Sequence, residues 1–443
     1  MKHLLGSTIQ IDPSFPYYRN RSEASIAEEI ELAGYRVVRY FVTDETNVNA
    51  KLVDAFHRRG ISVWAMTLGN GMYTTAHLPA DWPDWQMVLL KPIDDGFYRF
   101  SMFSDKYARW KKAALAKLVR DIPFDGLEIA EPYFPEWNGL SNGVYGDIGP
   151  YARAAFRKRN GTDIPDFKHK SSSMYYKTNK AVYRAWVDFR VDAVNCFLNE
   201  LINGAGGVRD SRPGTAIATW SLALKGSDAL DKLKEYQGID AVEMISRVRP
   251  DLHFLQTHWP DWMKPYLKPN YFTDYKPFVD RIRAVHPNIP LGIQADIGSK
   301  RSIRRSREWL DRFNQTAKEL RYATWTAYEY HIGKYMYSEK PAPLRSRRID
   351  NRLIELIFNK VIDPSSAAQP GSFRFLANGS DTIMEARCVR VDGNRAEISS
   401  EHFPESSFSI HVSNVQDTPS LWLLQGEKPN TVAEDTAIEV GRA

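Results

Sequence analysis

The chain has 443 residues, 43% hydrophobic and 26% charged, with no apolar run of bilayer length, so disordered, fibrous and membrane-spanning classes are excluded. Its formal charge of +5 is spread along the sequence and offers none of the concentrated basic face that a nucleic-acid partner requires. Cys196 and Cys388 have no metal-site spacing, and the start of the chain carries no signal-type apolar stretch. The expectation is a cytoplasmic protein with neither a structural metal nor a cofactor.

In chain order, strand-like segments fall at residues 4–11, 37–42, 62–66, 126–130, 216–220, 253–259, 291–295 and 323–328. Amphipathic helices are predicted between them at 25–33, 50–59, 105–120, 180–203, 227–236, 275–285 and 302–320, with an eighth at 347–361. Gly34 and Gly60 stop the first two. Eight alternations of strand and helix predict a (β/α)8 barrel, a TIM barrel, over residues 1–362. Residues 363–371, rich in Pro, Ser, Ala and Gln, read as a linker. Short alternating strands then follow at 373–376, 382–391, 395–399, 408–412 and 421–424, with a hairpin turn at Asp392-Gly393-Asn394. These predict a small β-sandwich-like domain over 372–443.

The connections are lopsided. Helix-to-strand links are a couple of residues long, whereas strand-to-helix links are long after the third, fourth and sixth strands (68–103, 131–150 and 260–274). Long loops inside compact domains are usually functional, and these three emerge at the C-terminal end of the barrel. With 12 Trp and 22 Tyr, the chain has more aromatic surface than a core needs, and many of these residues fall in those links. Trp85, Trp137, Trp259 and Trp262 are expected to gather at the barrel mouth, where flat apolar faces stack on sugar rings.

Asp125-Gly126-Leu127-Glu128-Ile129-Ala130-Glu131-Pro132 is the most pointed stretch. Proline cannot continue a ladder, so Pro132 sets Glu131 at the tip of the fourth strand. A carboxyl there, walled by aromatics, can stay protonated and serve as a general acid; a glutamate that only salt-bridges or caps the loop is the plainer alternative. Strand period puts Gln294 and Asp296 on the inner face of the seventh strand, Asp296 being equally suited to structuring the loop before Gly298-Ser299. Glu329 ends the eighth strand beside Tyr328. Arg39, Glu128, Gln256, His258 and Trp220 occupy inner-face or strand-end positions, and Asp12 ends the first strand. With Trp259 and Trp137 these form the candidate substrate-binding set. Gly298-Ser299-Lys300 could receive an anionic group at a helix start, although a solvated basic turn is the plainer account and the preferred one.

Two carboxylates flanking a bond, one protonating the leaving oxygen and the other attacking or activating water, is the glycosidase arrangement. Ala130-Glu131-Pro132 resembles the Asn-Glu-Pro corner of the retaining barrel glycoside hydrolases. The segments 124–134, 186–203, 253–262, 291–299 and 328–337 resemble a family of uncharacterised bacterial barrel glycosidases. The resemblance implies Glu131 as acid/base and a nucleophile on the seventh strand. This chain departs from the pattern with Ala130 for Asn and Asp296 for Glu, so Glu329 stays a rival for the second role. The leading expectation is a glycoside hydrolase acting on a carbohydrate substrate. A barrel sugar isomerase, epimerase or lyase, or a non-catalytic carbohydrate-binding barrel, are the alternatives.

Overall fold

The computed structural model describes residues 5–296, 301–328, 338–377, 382–421 and 426–442. Eight parallel strands close into a barrel: β1 (Gly6–Ile11), β2 (Val37–Phe41), β3 (Ser62–Leu68), β4 (Gly126–Ala130), β5 (Ala216–Ala223), β6 (Leu252–Thr257), β7 (Leu291–Asp296) and β8 (Thr324–Tyr328). Each pairs with its sequence neighbours, and β8 returns to β1 through Gly6 opposite Thr324. Helices α1 (Glu23–Leu32), α2 (Ala50–Arg58), α3 (Asp105–Asp121), α4 (Pro150–Asn160), α5 (Lys180–Asn203), α6 (Ala229–Gln237), α7 (Ala241–Val248), α8 (Lys276–Val285) and α9 (Arg307–Glu319) accompany the barrel.

Both faces of every strand are buried, so the strands read as nearly continuous apolar runs. Outward residues such as Val38, Ala65, Leu127, Ile129 and Ile293 join the core shared with the helices. Inward residues form a second cluster of Val37, Trp64, Met66, Ala130, Trp220 and Phe254. Large and small residues alternate inside it: a Cβ on Gly126 would lie 2.5 Å from the Trp64 ring, so β4 needs glycine there.

The helix expected at 347–361 is instead a hairpin. Residues Ile349, Leu353, Ile357 and Val361 fall four apart and imitate a helical face. Asp350 makes a turn, however, its Oδ1 accepting from the Arg352 N–H at 2.7 Å, and β9 (Pro343–Arg348) pairs antiparallel with β10 (Leu353–Phe358). Ile354, Leu356 and Phe358 go into the core of the C-terminal module. That module continues with β11 (Phe373–Leu376), β12 (Ile383–Glu385), β13 (Arg387–Asp392), β14 (Arg395–Ser399), β15 (Phe408–Val412) and β16 (Ala437–Val440). Among the described residues, two four-stranded antiparallel sheets, β9-β10-β14-β13 and β12-β11-β15-β16, share one apolar core. The stretch expected as a linker carries a helical turn, Pro364–Ala367, capped by Asp363. Most of the strand expected at 421–424 lies outside the described residues. No described helix is long and apolar enough to cross a membrane.

Candidate active site

The corner after β4 is held from several directions. Leu68 of β3 pairs with Ala130, and the Gly69 N–H donates to the Ala130 carbonyl at 2.6 Å. A Cβ on Gly69 would come within 2.8 Å of both Pro132 Cα and Cβ, so the two loops meet through glycine. The Tyr107 hydroxyl of α3 donates to the Gly69 carbonyl at 2.8 Å, and Asn70 Nδ2 donates to the Tyr133 carbonyl at 3.2 Å. Between these anchors Glu131 adopts φ of +52°, a left-handed conformation uncommon for a residue with a side chain. Backbone strain of this kind persists only where the surroundings over-determine it, and it clusters at functional sites.

The electrostatics follow from this placement. Burial pushes the Glu131 carboxyl up to about 7, against the opposing pull of a hydrogen bond from the Tyr133 side chain and the charge of Arg99. The residue nevertheless keeps part of its surface open and lines two cavities. The first, about 230 Å³, is bounded by Asn70, Gly71, Tyr73, Asp95, Phe97 and Arg99. Arg99 is held there by Asp95 at 2.8 and 3.1 Å and lies 4.9 Å over the Phe97 ring. The second, about 400 Å³, is walled by Tyr133, Gln256, His258, Trp259, Trp262 and Tyr236. A hollow of about 450 Å³ lies between the end of α1, α9 and the C-terminal module, and another of about 640 Å³ opens beside Gly60, at the end of the barrel where the strands begin. Conservation of structure at that end serves stability in barrels, while chemistry belongs to the mouth.

The aromatic wall is anchored in turn. The helical turn Trp259–Trp262 follows β6, and Trp262 Nε1 donates to the Thr257 carbonyl at 2.6 Å. Trp259 is 50% exposed and presents its ring to the opening. Burial holds the His258 imidazole below its usual range, against the pull of Asp261. Neutral at pH 7, it can donate or accept a hydrogen bond.

The residues singled out from the sequence divide into groups. Glu131, Gln256, His258 and Trp259 meet on the 400 Å³ cavity. Arg39, Glu128 and Gln294 meet one another deeper in the barrel, all buried. Arg39 Nε donates to Glu128 Oε2 at 2.8 Å, its Nη2 to Glu128 Oε1 and its Nη1 to Gln294 Oε1 at 2.6 Å, with the guanidinium 4.1 Å over the Phe254 ring. Trp220 is also buried and stacks on Tyr133, ring centroids 5.9 Å apart, which makes it the backing of the mouth rather than its lining. Asp12 accepts from the Ser14 N–H at 2.9 Å and stands apart from both cavities. Asp296 is the last residue of β7, its backbone opposite Tyr328 of β8. The side chains of Asp296, Tyr328 and Trp137, and all of Glu329 and Gly298-Ser299-Lys300, lie outside the described residues.

Of the four tryptophans expected at the mouth, Trp259 and Trp262 are there. Trp85 is not: it is buried beside Tyr107 and Trp110 of α3, where it fills core. Tyr73 and Tyr133 are among the aromatics that the long links carry to this end of the barrel, whereas Asp95, Arg99 and Tyr236 are not expected there from the sequence. The signal that could have found Asp95 and Arg99 is position, in the long link after β3 with Tyr73; Tyr236, in α6, carries no such signal. Among the described residues, no three His, Cys, Asp or Glu side chains gather as metal ligands.

No family model matches the sequence, and no curated protein does. Among solved structures the chain is similar to the glycoside hydrolase domain of PgaB (BpsB) from Bordetella bronchiseptica, with 14% identity and a TM-score of 0.54 over 74% of this chain and 95% of that one. Looser similarity extends to a β-galactosidase from Marinomonas ef1 (11% identity, TM-score 0.47, 66% of this chain and 48% of that one). An endo-β-1,4-mannanase from Thermotoga petrophila is similar at 10% identity and TM-score 0.41, over 99% and 98% of the two chains. At such identities the likeness is one of fold, the eight-stranded parallel barrel.

Proposed function

We propose that this protein is a glycoside hydrolase that cleaves an O-glycosidic bond at the mouth of its barrel, with Glu131 as general acid/base. The observation that carries the reading is Glu131 itself: a strained strand-end carboxyl between two cavities, with its proton held up to about 7 by burial. A carboxylic acid in that state can protonate a leaving alkoxide at neutral pH and, once ionised, draw a proton from the incoming water. Tyr133 stabilises the ionised form by hydrogen bonding, so the group can serve in both directions. Trp259 and Trp262 supply apolar faces for a pyranose, and Gln256 and His258 supply hydrogen-bonding edges. Asp296, at the end of β7, is proposed as the second carboxylate, with Glu329 in that role if Asp296 serves the loop.

The test is hydrolysis of a panel of aryl and unactivated glycosides by the wild type, Glu131→Gln and Asp296→Asn. The reading expects Glu131→Gln to lose turnover of unactivated glycosides while retaining sugar binding, and Asp296→Asn to be impaired on both kinds of substrate. Wild-type turnover of unactivated glycosides by Glu131→Gln would overturn it. Unimpaired Asp296→Asn would hand the second role to Glu329.

A further inference from the structure

The cavities at the mouth form a series. The 230 and 400 Å³ cavities share Glu131 and Tyr133. The 400 Å³ cavity in turn shares Glu136 and Tyr236 with a third, of about 620 Å³, that runs on to Tyr176, Lys177, Lys180 and Tyr183. Glu131 therefore stands near one end of a run of three hollows. A short arm lies on the Arg99 side, and a long arm passes Tyr236 and reaches the start of α5. A pocket for one small ligand is about 300–1,000 Å³. The long arm alone comprises two cavities of that class.

The long arm is a formed structure. Arg190 of α5, fully buried, ties its walls together: Nη2 donates to the Gly146 and Tyr236 carbonyls at 2.9 Å each, and Nη1 to the Glu235 carbonyl at 3.0 Å. The guanidinium is itself sandwiched 4.7 Å from the Phe134 ring and 4.4 Å from the Tyr145 ring. The C-terminal end of α6 and the loop after β4 are thus fixed to a common post. In the far cavity the Tyr176 and Tyr183 rings lie 5.5 Å apart, and the Tyr183 hydroxyl donates to Glu235 Oε1 at 2.9 Å. Two acidic residues, Glu136 and Glu235, and two basic ones, Lys177 and Lys180, line it, so neither sign of charge dominates. Tyr176 and Tyr183 belong to the aromatic core behind this cavity, and half-buried Tyr236 lines its open side; a ring beside donors and acceptors of mixed sign matches a sugar unit that carries no charge of its own.

We infer that the third cavity is a distal sugar-binding site, and that the substrate is an uncharged linear oligosaccharide lying across all three hollows, cleaved near one end. The inference rests on the glycoside hydrolase reading and adds to it the length and polarity of the substrate. Tyr236, shared by the middle and far cavities, is the residue over which the chain passes.

The experiment measures binding of dimers and hexamers of the cello-, manno-, galacto- and chito-oligosaccharide series to Glu131→Gln, by isothermal titration calorimetry, with and without Tyr236→Ala or Tyr236→Phe. The expected result is at least one series in which the hexamer binds tenfold or more tighter than the dimer. Tyr236→Ala should cut that ratio about tenfold, a loss of roughly 1.4 kcal/mol, while Tyr236→Phe preserves most of it because the ring face remains. Equal affinity for dimer and hexamer in every series, or a ratio untouched by Tyr236→Ala in a variant that melts like its parent, would overturn the inference. Absence of binding in all four series, while the wild type hydrolyses aryl glycosides through Glu131, would overturn it and leave the hydrolase reading standing. Length-dependent binding through Tyr236 without turnover of any glycoside would do the reverse.

Discussion

At the scale of single residues, Glu131 links stability to activity through one proton. Its folded-state carboxyl is raised from 4.5 to about 7, so between those values the folded protein binds more protons than the unfolded chain. Stability from this group is therefore full below about pH 4.5 and is lost as pH rises through 7, by no more than about 3 kcal/mol. Glu131→Gln, which cannot ionise, is expected to gain stability relative to the wild type at pH 8 and not at pH 4.5; urea unfolding at the two values checks this. The same proton sets the basic limb of activity, so kcat/KM on unactivated glycosides should fall as pH rises past about 7. The position of Glu131 was legible in the sequence because Pro132 terminates the strand immediately after it. The surroundings that set its proton affinity were not. Arg99 and Asp95 are brought to it by a short pairing of Gly71–Met72 with Tyr98–Arg99, a tertiary contact with no periodicity to betray it.

Among elements, the barrel strands were the most legible feature, since inner and outer residues alternate and both sides are apolar. The 347–361 segment misled because spacing by four fits a helical face and a hairpin with buried β-branched residues alike. Among the described residues the interior of the barrel holds a buried ion pair, Arg39–Glu128, with Gln294 beside it. Glu128→Ala leaves the Arg39 charge buried without its partner, and is expected to cost about 3–5 kcal/mol. The double variant Arg39→Met, Glu128→Leu should be more stable than Glu128→Ala, because no lone charge remains. Denaturant midpoints for the set decide it. Gly69→Ala tests the corner instead: its Cβ must displace Pro132, so turnover should fall steeply while far-UV circular dichroism stays that of the parent.

At the scale of the whole molecule, the barrel and the β module are joined by polar contacts at the start of α1. Asp392 accepts from the Ser22 N–H at 2.7 Å and from its hydroxyl, placing a carboxylate at the positive end of the helix. Asn394 Oδ1 accepts from the Ser25 hydroxyl at 2.8 Å, and Arg395 pairs with the buried Glu28. Asp392→Ala should therefore cost about 1–2 kcal/mol, read as a lower urea midpoint with unchanged slope. The module lies against the barrel's flank by way of α1, and its Glu427 also pairs with Arg304 of the link after β7 at 3.1 Å; the two cavities that Glu131 lines are walled, among the described residues, by the barrel. The role of Glu131 as an acid is tested most directly by the dependence of rate on the leaving group. Aryl glycosides of graded leaving-group pKa would be compared in the wild type and Glu131→Gln. The account predicts a wild-type to variant ratio of kcat/KM that is large for poor leaving groups and falls toward one for good ones, which need no proton. A ratio that stays constant across the series would contradict it.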